Sequence, residues 1–314
     1  MRVLLTIPHY FNPQGSNAHG SLQANPQPRI EGLTACLRSL YETFGTGQSY
    51  YAHNAEQSRV ERQPANERTQ VELDVVICTT ADFHLLDQLP IPSALFRHES
   101  FTLEDPKWLG LGCHLILKRH LGFYDYYGYL EDDLILRDSH FFQKLKWFNQ
   151  HIGDDAVLQA NRFEVAEQDI PEKVYVDADF ESISPVFTGC PHDFSDKQRL
   201  SAQFLGQLID FNRARNPHSG CFFLNARQMN HWTQQPHFMN FSRRFIGGLE
   251  TCATLGLMET FSVYKPAFEN ASFLEIQHCG NALSQKWQKD DRFRYFSRRY
   301  PPRQDNLKTL DASG

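Results

Sequence analysis

Apolar residues in this chain fall into short, near-continuous runs, separated by polar loops and by segments with helical spacing. Residues 2–7 (RVLLTI) read as a buried first strand, with residues 9–12 at its exit. Residues 13–28 are rich in Pro, Gly, Asn and Gln and read as a loop. Ile30, Leu33, Leu37 and Leu40 with Tyr41 recur at helical spacing and predict a helix over 29–44. Residues 45–70 hold almost no aliphatic side chain, which predicts a mobile, partly disordered insertion. Residues 73–80 (LDVVICTT) predict a second strand, apolar enough for a parallel sheet covered on both faces. Residues 95–98 predict a short third strand. Asp105 as N-cap and Pro106 at the first helical position then open a helix. Its inner face is Leu109, Cys113, Ile116, Leu117 and Leu121. Residues 127–136 read as a strand carrying three acids. Asp138 caps a further helix whose Phe141, Leu145 and Phe148 face inward. This order predicts an α/β fold with a Rossmann-like, doubly wound, mainly parallel sheet.

The second half is more mixed. Strands are predicted at 156–163, 173–178, 221–225 and 261–264, and helices at 197–211, 226–233 and 249–257. With no internal repeat and no clear linker, residues 1–285 are expected to form one domain, followed by a basic, aromatic tail over 286–314.

Composition narrows the class. The chain has 314 residues, 41% hydrophobic and 22% charged, with a formal net charge of −6. That balance argues against a general nucleic-acid binder, which is normally basic. The 25 phenylalanines predict an aromatic core or cleft. The seven cysteines are scattered without a CxxC pair, which excludes a zinc ribbon and points to a reducing compartment such as the cytoplasm. The opening run MRVLLTIPHY is too short in apolar residues for a secretory leader, and no stretch approaches the ~18 apolar residues of a membrane span.

Residues 127–135 (YGYLEDDLI) carry the chemistry. Glu131, Asp132 and Asp133 interrupt an aromatic and aliphatic run that resumes at once with Leu134 and Ile135. Like charges in a low-dielectric site disfavour one another's ionisation, and a divalent cation removes that conflict. Carboxylates suit Mg²⁺ or Mn²⁺, metals that usually also hold substrate phosphates. In an extended segment Glu131 and Asp133 would share one face, with Asp132 on the other. The alternative is a strand ending at Leu130 with a solvated acidic turn after it.

These residues, an N-terminal α/β half and a mixed second half together resemble the GT-A fold glycosyltransferases, over roughly residues 1–280. Glu131-Asp132-Asp133 is similar to the family's DxD motif in its EDD form. On that resemblance Asp133 is the metal ligand, and Glu131 and Asp132 contact the donor's ribose or sugar. Gly220, in NPHSGCFFLN, resembles the turn glycine before the strand beneath the donor and acceptor sugars. A glycine there permits close backbone approach to a ligand. In Ile246-Gly247-Gly248-Leu249-Glu250-Thr251 the resemblance makes Glu250 the catalytic base of an inverting enzyme, but Thr251 stands where the family carries Asp. The departure leaves a retaining reaction, or a helix-start role for Glu250, open. His278, in FLEIQHCGN, matches a C-terminal histidine that completes the metal site.

In open α/β sheets ligands sit beyond the carboxyl ends of the strands. Pro8, His9 and Tyr10 lie there after the first strand, and Thr79 after the second, with Tyr10 or Phe11 able to stack on a base. Arg29 is placed to reach a phosphate or to start its helix. Lys118 and Arg119 are expected in solvent, Trp108 and Trp147 in the core, and Trp232 and Trp287 at an acceptor. The tail holds seven Lys and Arg against two Asp over 286–303, suited to clamp a diphosphate, to touch an anionic membrane, or to stay solvated.

The resemblance thus implies a metal-dependent glycosyltransferase. It would use Mn²⁺ or Mg²⁺, a nucleotide-diphosphate sugar donor, first of all a UDP-sugar, and a glycan or lipid-linked acceptor. The donor half would be 1–136 and the acceptor half 137–285. Two alternatives stand beside it. A sugar-phosphate nucleotidyltransferase needs a glycine-rich phosphate loop, and residues 8–20 hold no convincing version. A non-catalytic sugar-nucleotide-binding protein is favoured only by Thr251.

Overall fold

A computed structural model describes residues 1–15, 20–166, 172–177, 192, 198–240 and 247–289 of the chain. Ile246, Cys190, the side chain of Trp287 and the tail beyond 289 lie outside the described residues, so the expectations placed on them go no further here.

The first strand, β1 (Arg2–Pro8), leads through a loop to α1 (Gln27–Phe44). A hairpin follows, β2 (Ser49–Asn54) with β3 (Arg59–Pro64), before β4 (Glu72–Thr80), β5 (Arg97–Phe101) and α2 (Leu109–Arg119). Next come β6 (Tyr126–Leu130), the short β7 (Leu134–Ile135) and α3 (Phe141–Ile152). Strands β8 (Ala156–Leu158), β9 (Asn161–Ala166) and β10 (Glu172–Tyr175) precede a second hairpin of β11 (Arg199–Phe204) and β12 (Gln207–Arg213). The described chain then continues through β13 (Cys221–Asn225) and α4 (Ala226–Thr233). The helical stretch α5 runs through Gly248–Glu250, a π-helical Thr251–Leu255 and Gly256–Met258. Strands β14 (Ser262–Pro266) and β15 (Glu275–His278) and the helix α6 (Ala282–Lys289) complete it.

The central sheet has the order β13-β6-β1-β4-β5. Strands β6, β1, β4 and β5 run parallel, and β13 closes one edge antiparallel. Alternation along β1 makes both faces apolar. Val3, Leu5 and Ile7 pack with α1 and α3, whereas Leu4 faces Val76, α2 and Trp232. On β6, Tyr126 and Leu130 join the first core, and Tyr127 and Tyr129 the second. Two smaller mixed sheets, β10-β9-β15-β7 and β11-β12-β14-β8, form the second half.

Three expectations are corrected. Residues 49–64 of the expected insertion are an ordered hairpin, paired in full from Ser49–Pro64 to Asn54–Arg59. Polar composition does not prevent ladder hydrogen bonds, which need only backbone. The helix expected at 197–211 is the β11–β12 hairpin. Leu205 and Gly206 both take positive φ, +49° and +79°, as a two-residue turn matched to strand twist requires. Leu200, Ala202 and Phe204 alternate with exposed neighbours at a period of two. The third correction concerns the acids. Strand β6 ends at Leu130, and Glu131–Asp133 form a turn before β7, so a single extended pleat does not sort them. The turn is nonetheless largely buried: Asp132 is only 4% exposed.

Helix α2 crosses α5 at Gly110, where an added Cβ would lie 2.4 Å from Cys252 Cβ. Gly110→Ala should therefore lower stability by about 1–3 kcal/mol in chemical denaturation. The helix-propensity gain of about 1 kcal/mol from removing a glycine does not offset the clash.

Candidate functional site

The acid turn sits at the carboxyl end of the parallel strands and is tied on both sides by backbone. Glu131 N–H donates to Gly220 O (2.9 Å), and Cys279 N–H donates to Asp133 O (2.8 Å). The first bond joins the turn to β13 and the second extends the β7–β15 ladder, in which His278 pairs with Leu134.

The three acids have different surroundings. Asp132 Oδ2 accepts from His9 Nδ1 at 2.6 Å, and Asp132 Oδ1 accepts from Arg29 Nη2. His9, fully buried just past β1, accepts at Nε2 from Leu85 N–H (3.2 Å), so its proton sits on Nδ1 and points at Asp132. Burial alone would raise the Asp132 carboxyl, but Arg29 and His9 hold it below the usual carboxylate range. Burial likewise opposes the Arg29 charge, and Asp132 and Asp133 together raise its pKa.

Asp133 is less committed. Its Oδ2 accepts from Arg29 Nη1 (3.2 Å) and lies 3.6 Å from His278 Nε2, while its Oδ1 is buried without a hydrogen-bond partner. A buried carboxylate oxygen left unpaired is costly and calls for an explanation such as an ion. Asp133 and His278 therefore suit a divalent cation as two ligands of a larger set. Among the described residues, no group of three or more His, Cys, Asp and Glu side chains is arranged around one metal position. The remaining ligands would have to come from a diphosphate and water, as Mg²⁺ commonly accepts.

Glu131 lies against Gly220 and Arg162. Gly220 has φ of +67°, and a Cβ there would come within 2.5 Å of Glu131 Oε2. Arg162 Nη1 is 4.0 Å away. Burial pushes the Glu131 carboxyl up to about 8, against the pull of Arg162; Asp133 and Glu250 add to the rise. Glu250 thus lies within electrostatic reach of the acid turn, at the start of α5. Its Oε2 sits 2.5 Å from where a Cβ on Gly247 would stand. Thr251, next along the chain, is 6% exposed and donates from its hydroxyl to Gly247 O.

Most of the other expected residues are buried. Pro8 is buried at the end of β1. Tyr10 packs on Phe83 with ring centroids 5.7 Å apart, whereas Phe11 is buried. Buried Thr79 shares a 2.8 Å hydrogen bond with His98 Nε2. Trp232 is not available to a sugar: it is 1% exposed and packs edge-on against Phe222 and Phe238.

The structure also supplies residues that the sequence reading passed over. Arg162 and Glu164 stand two apart on β9 and share a face, and that face is inward. Arg162 grips buried Asp177 at 2.9 Å, and Lys265 Nζ joins Asp177 (2.9 Å) and His218 O (2.9 Å). The signal was charge on alternate positions of an otherwise apolar strand, which reads as solvent-facing by default.

The parallel-rich central sheet, with its acids at the carboxyl end and a mixed second half behind it, agrees with the α/β architecture expected from the sequence. This architecture is consistent with a GT-A-like fold. Neither a family model nor a curated protein matches it. Among solved structures, S. aureus TarS is similar over 93% of this chain, at 9% identity and a TM-score of 0.41. TarS 1-349 in complex with UDP-GlcNAc matches over 90%, at 10% identity and a TM-score of 0.39. GalNAc-T7 with UDP, GalNAc and Mn2+ matches over 89%, at 9% identity and a TM-score of 0.44. The chain spans 40%, 61% and 43% of those three chains, respectively.

Asp132 has a lowered folded-state value, so its contribution to stability is complete above its unfolded value of about 4 and disappears as pH falls through the lowered one. Arg29→Met removes one of its two partners and should cost up to about 3 kcal/mol at pH 7. The gap between wild type and variant should shrink in denaturant titrations near pH 3.

Proposed function

We propose that this protein is a metal-dependent glycosyltransferase. It moves a sugar from a nucleotide-diphosphate sugar, a UDP-sugar first of all, to an acceptor hydroxyl on a glycan or a lipid-linked glycan. The observation that carries this reading is the unequal state of the two aspartates. Both oxygens of Asp132 are taken by His9 and Arg29, whereas Asp133 keeps a buried, unpartnered Oδ1 beside His278 Nε2. A carboxylate with an unpartnered oxygen and an imidazole facing it suit Mn²⁺ or Mg²⁺. When bound, that cation offsets the charge developing on a departing diphosphate.

The chain's own residues divide the remaining work. Arg29 spans Asp132 and Asp133 and orients the carboxylates toward the ligand side. Tyr10, half-buried past the end of β1, is the candidate contact for the nucleoside, whereas Pro8, His9 and Thr79 are buried at the strand ends. Glu131 and Gly220 stand where the sugar would lie, with Arg162 behind them. Glu250 is the candidate base: it lies within electrostatic reach of Glu131, and a general base must reach the attacking hydroxyl. The reaction takes place on the cytoplasmic side, and the basic tail beyond α6 offers a contact for an anionic membrane bearing the acceptor. Among the described residues no helix is long and apolar enough to cross a membrane.

Thermal unfolding with UDP, GDP, CDP and their sugars, each with Mn²⁺ or with chelator, tests the reading. A ligand of the folded state raises the midpoint by mass action, by about 2.7 kcal/mol at a hundredfold excess over Kd. One nucleotide should give a metal-dependent rise that Asp133→Ala abolishes. A panel without any rise would leave the acid turn without a donor role. Turnover lost in Glu250→Gln with donor binding intact would support Glu250 as the base.

A further inference from the structure

The parallel pairing of β15 with β9 sets Gln277 opposite Phe163 and brings His278, one residue on, beside Glu164. Glu164 is a fully buried carboxylate, 0% exposed. Its Oε1 accepts from His278 Nδ1 (2.8 Å) and from Leu283 N–H (3.1 Å), and its Oε2 from Ser284 N–H (2.6 Å). The last two are first-turn amides of α6, groups that no helical carbonyl can satisfy and that favour a negative charge. One carboxylate therefore holds both the histidine ring and the start of the following helix.

This has a consequence for the ring. An acceptor at Nδ1 makes Nδ1 the proton-bearing nitrogen and leaves Nε2 with its lone pair. At 3.6 Å from Asp133 Oδ2, Nε2 is beyond hydrogen-bond distance. Two electron-pair donors thus face each other across a gap, and a cation reconciles them. A carboxylate behind a ligating histidine fixes the tautomer and raises the basicity of the ring.

We infer that Glu164 is the positioning residue of the site: it fixes His278 as the Nδ1–H tautomer with Nε2 aimed at the cation position beside Asp133. The inference rests on the metal-dependent reading above. A Glu164 that merely capped α6 would act on helix stability alone.

The test uses the full chain and Mn²⁺, alone and with UDP, with free Mn²⁺ counted by electron paramagnetic resonance. Long-range ¹⁵N spectra of the metal-free protein report the tautomer of His278. The variants are Glu164→Gln, Glu164→Ala, His278→Ala, Asp133→Ala and the double variant Glu164→Ala/His278→Ala. Wild type should show the Nδ1–H form. Glu164→Gln, which keeps an acceptor but loses the charge, should retain that form and weaken Mn²⁺ binding by about tenfold. Glu164→Ala should scramble the tautomer and weaken binding by about 10–100-fold. The double variant should bind no more weakly than His278→Ala, because both changes act through one ring. Glu164 effects that add to those of His278→Ala, or an unchanged tautomer and affinity in both Glu164 variants, would overturn the inference. Mn²⁺ binding that Asp133→Ala abolishes and Glu164 changes leave alone would sink this inference while sparing the metal reading. A wild type that binds no Mn²⁺ with or without UDP would sink both.

Discussion

The site depends on one buried carboxylate, that of Asp132. Taking it out of water is costly unless the charge is met on both sides, and it is met by an imidazole from the end of β1 and a guanidinium from α1. Three segments far apart in sequence are thereby locked at one point. With Asp132 saturated, Arg29 still has a second nitrogen for Asp133, and the turn's backbone is left to be fixed by Gly220 and Cys279. The free oxygen of Asp133 follows from this arrangement: its neighbour has already engaged the nearest donors.

The three consecutive acids therefore do not act as a uniform anionic patch. Asp132 is an ionised anchor. Asp133 is half-engaged and open. Glu131 is driven toward its neutral form by burial, and its backbone and side chain both lie against Gly220. Separating the ionisation of adjacent carboxylates by environment lets one short segment hold an anchoring charge and an open carboxylate without mutual repulsion. The positive φ at Gly220 belongs to the same solution, since any side chain there would occupy the space of the Glu131 carboxylate.

Much of this was legible in the sequence, and the reason is periodicity. The strands at 2–7 and 73–80, the helix at 29–44 and the α2 stripe follow apolar spacing that tertiary context did not override. Strand-end logic and the resemblance singled out His9, Arg29, Asp133 and His278, but not the bonds from His9 and Arg29 to Asp132 that join them. What the sequence hid were features set by pairing. The β11–β12 hairpin depends on a Leu205–Gly206 turn in which a leucine takes positive φ, a conformation that propensity does not suggest. The inward face of β9 was hidden because Arg162 and Glu164 find their partners on strands and helices remote in the chain. Trp232, expected at an acceptor, was misplaced because its local sequence does not show that aromatic neighbours remote in the chain enclose its ring.

The short ladder between β7 and β15 would carry a meaning for metal choice under the proposed reading. Asp133 and His278 are separated by most of the second half of the chain, yet their spacing is set by main-chain pairing that runs from Leu134–His278 to Asp133–Cys279. Side chains alternate faces along such a strand, so a slip of one residue would turn the imidazole away. It would bring either an amide, Gln277, or a thiol, Cys279, toward the carboxylate. A thiolate–carboxylate pair favours softer, thiophilic ions over those that bind phosphate oxygens. Were a cation held here, its selectivity would in that sense be a property of strand register, guarded by main-chain pairing rather than by the ligand atoms alone.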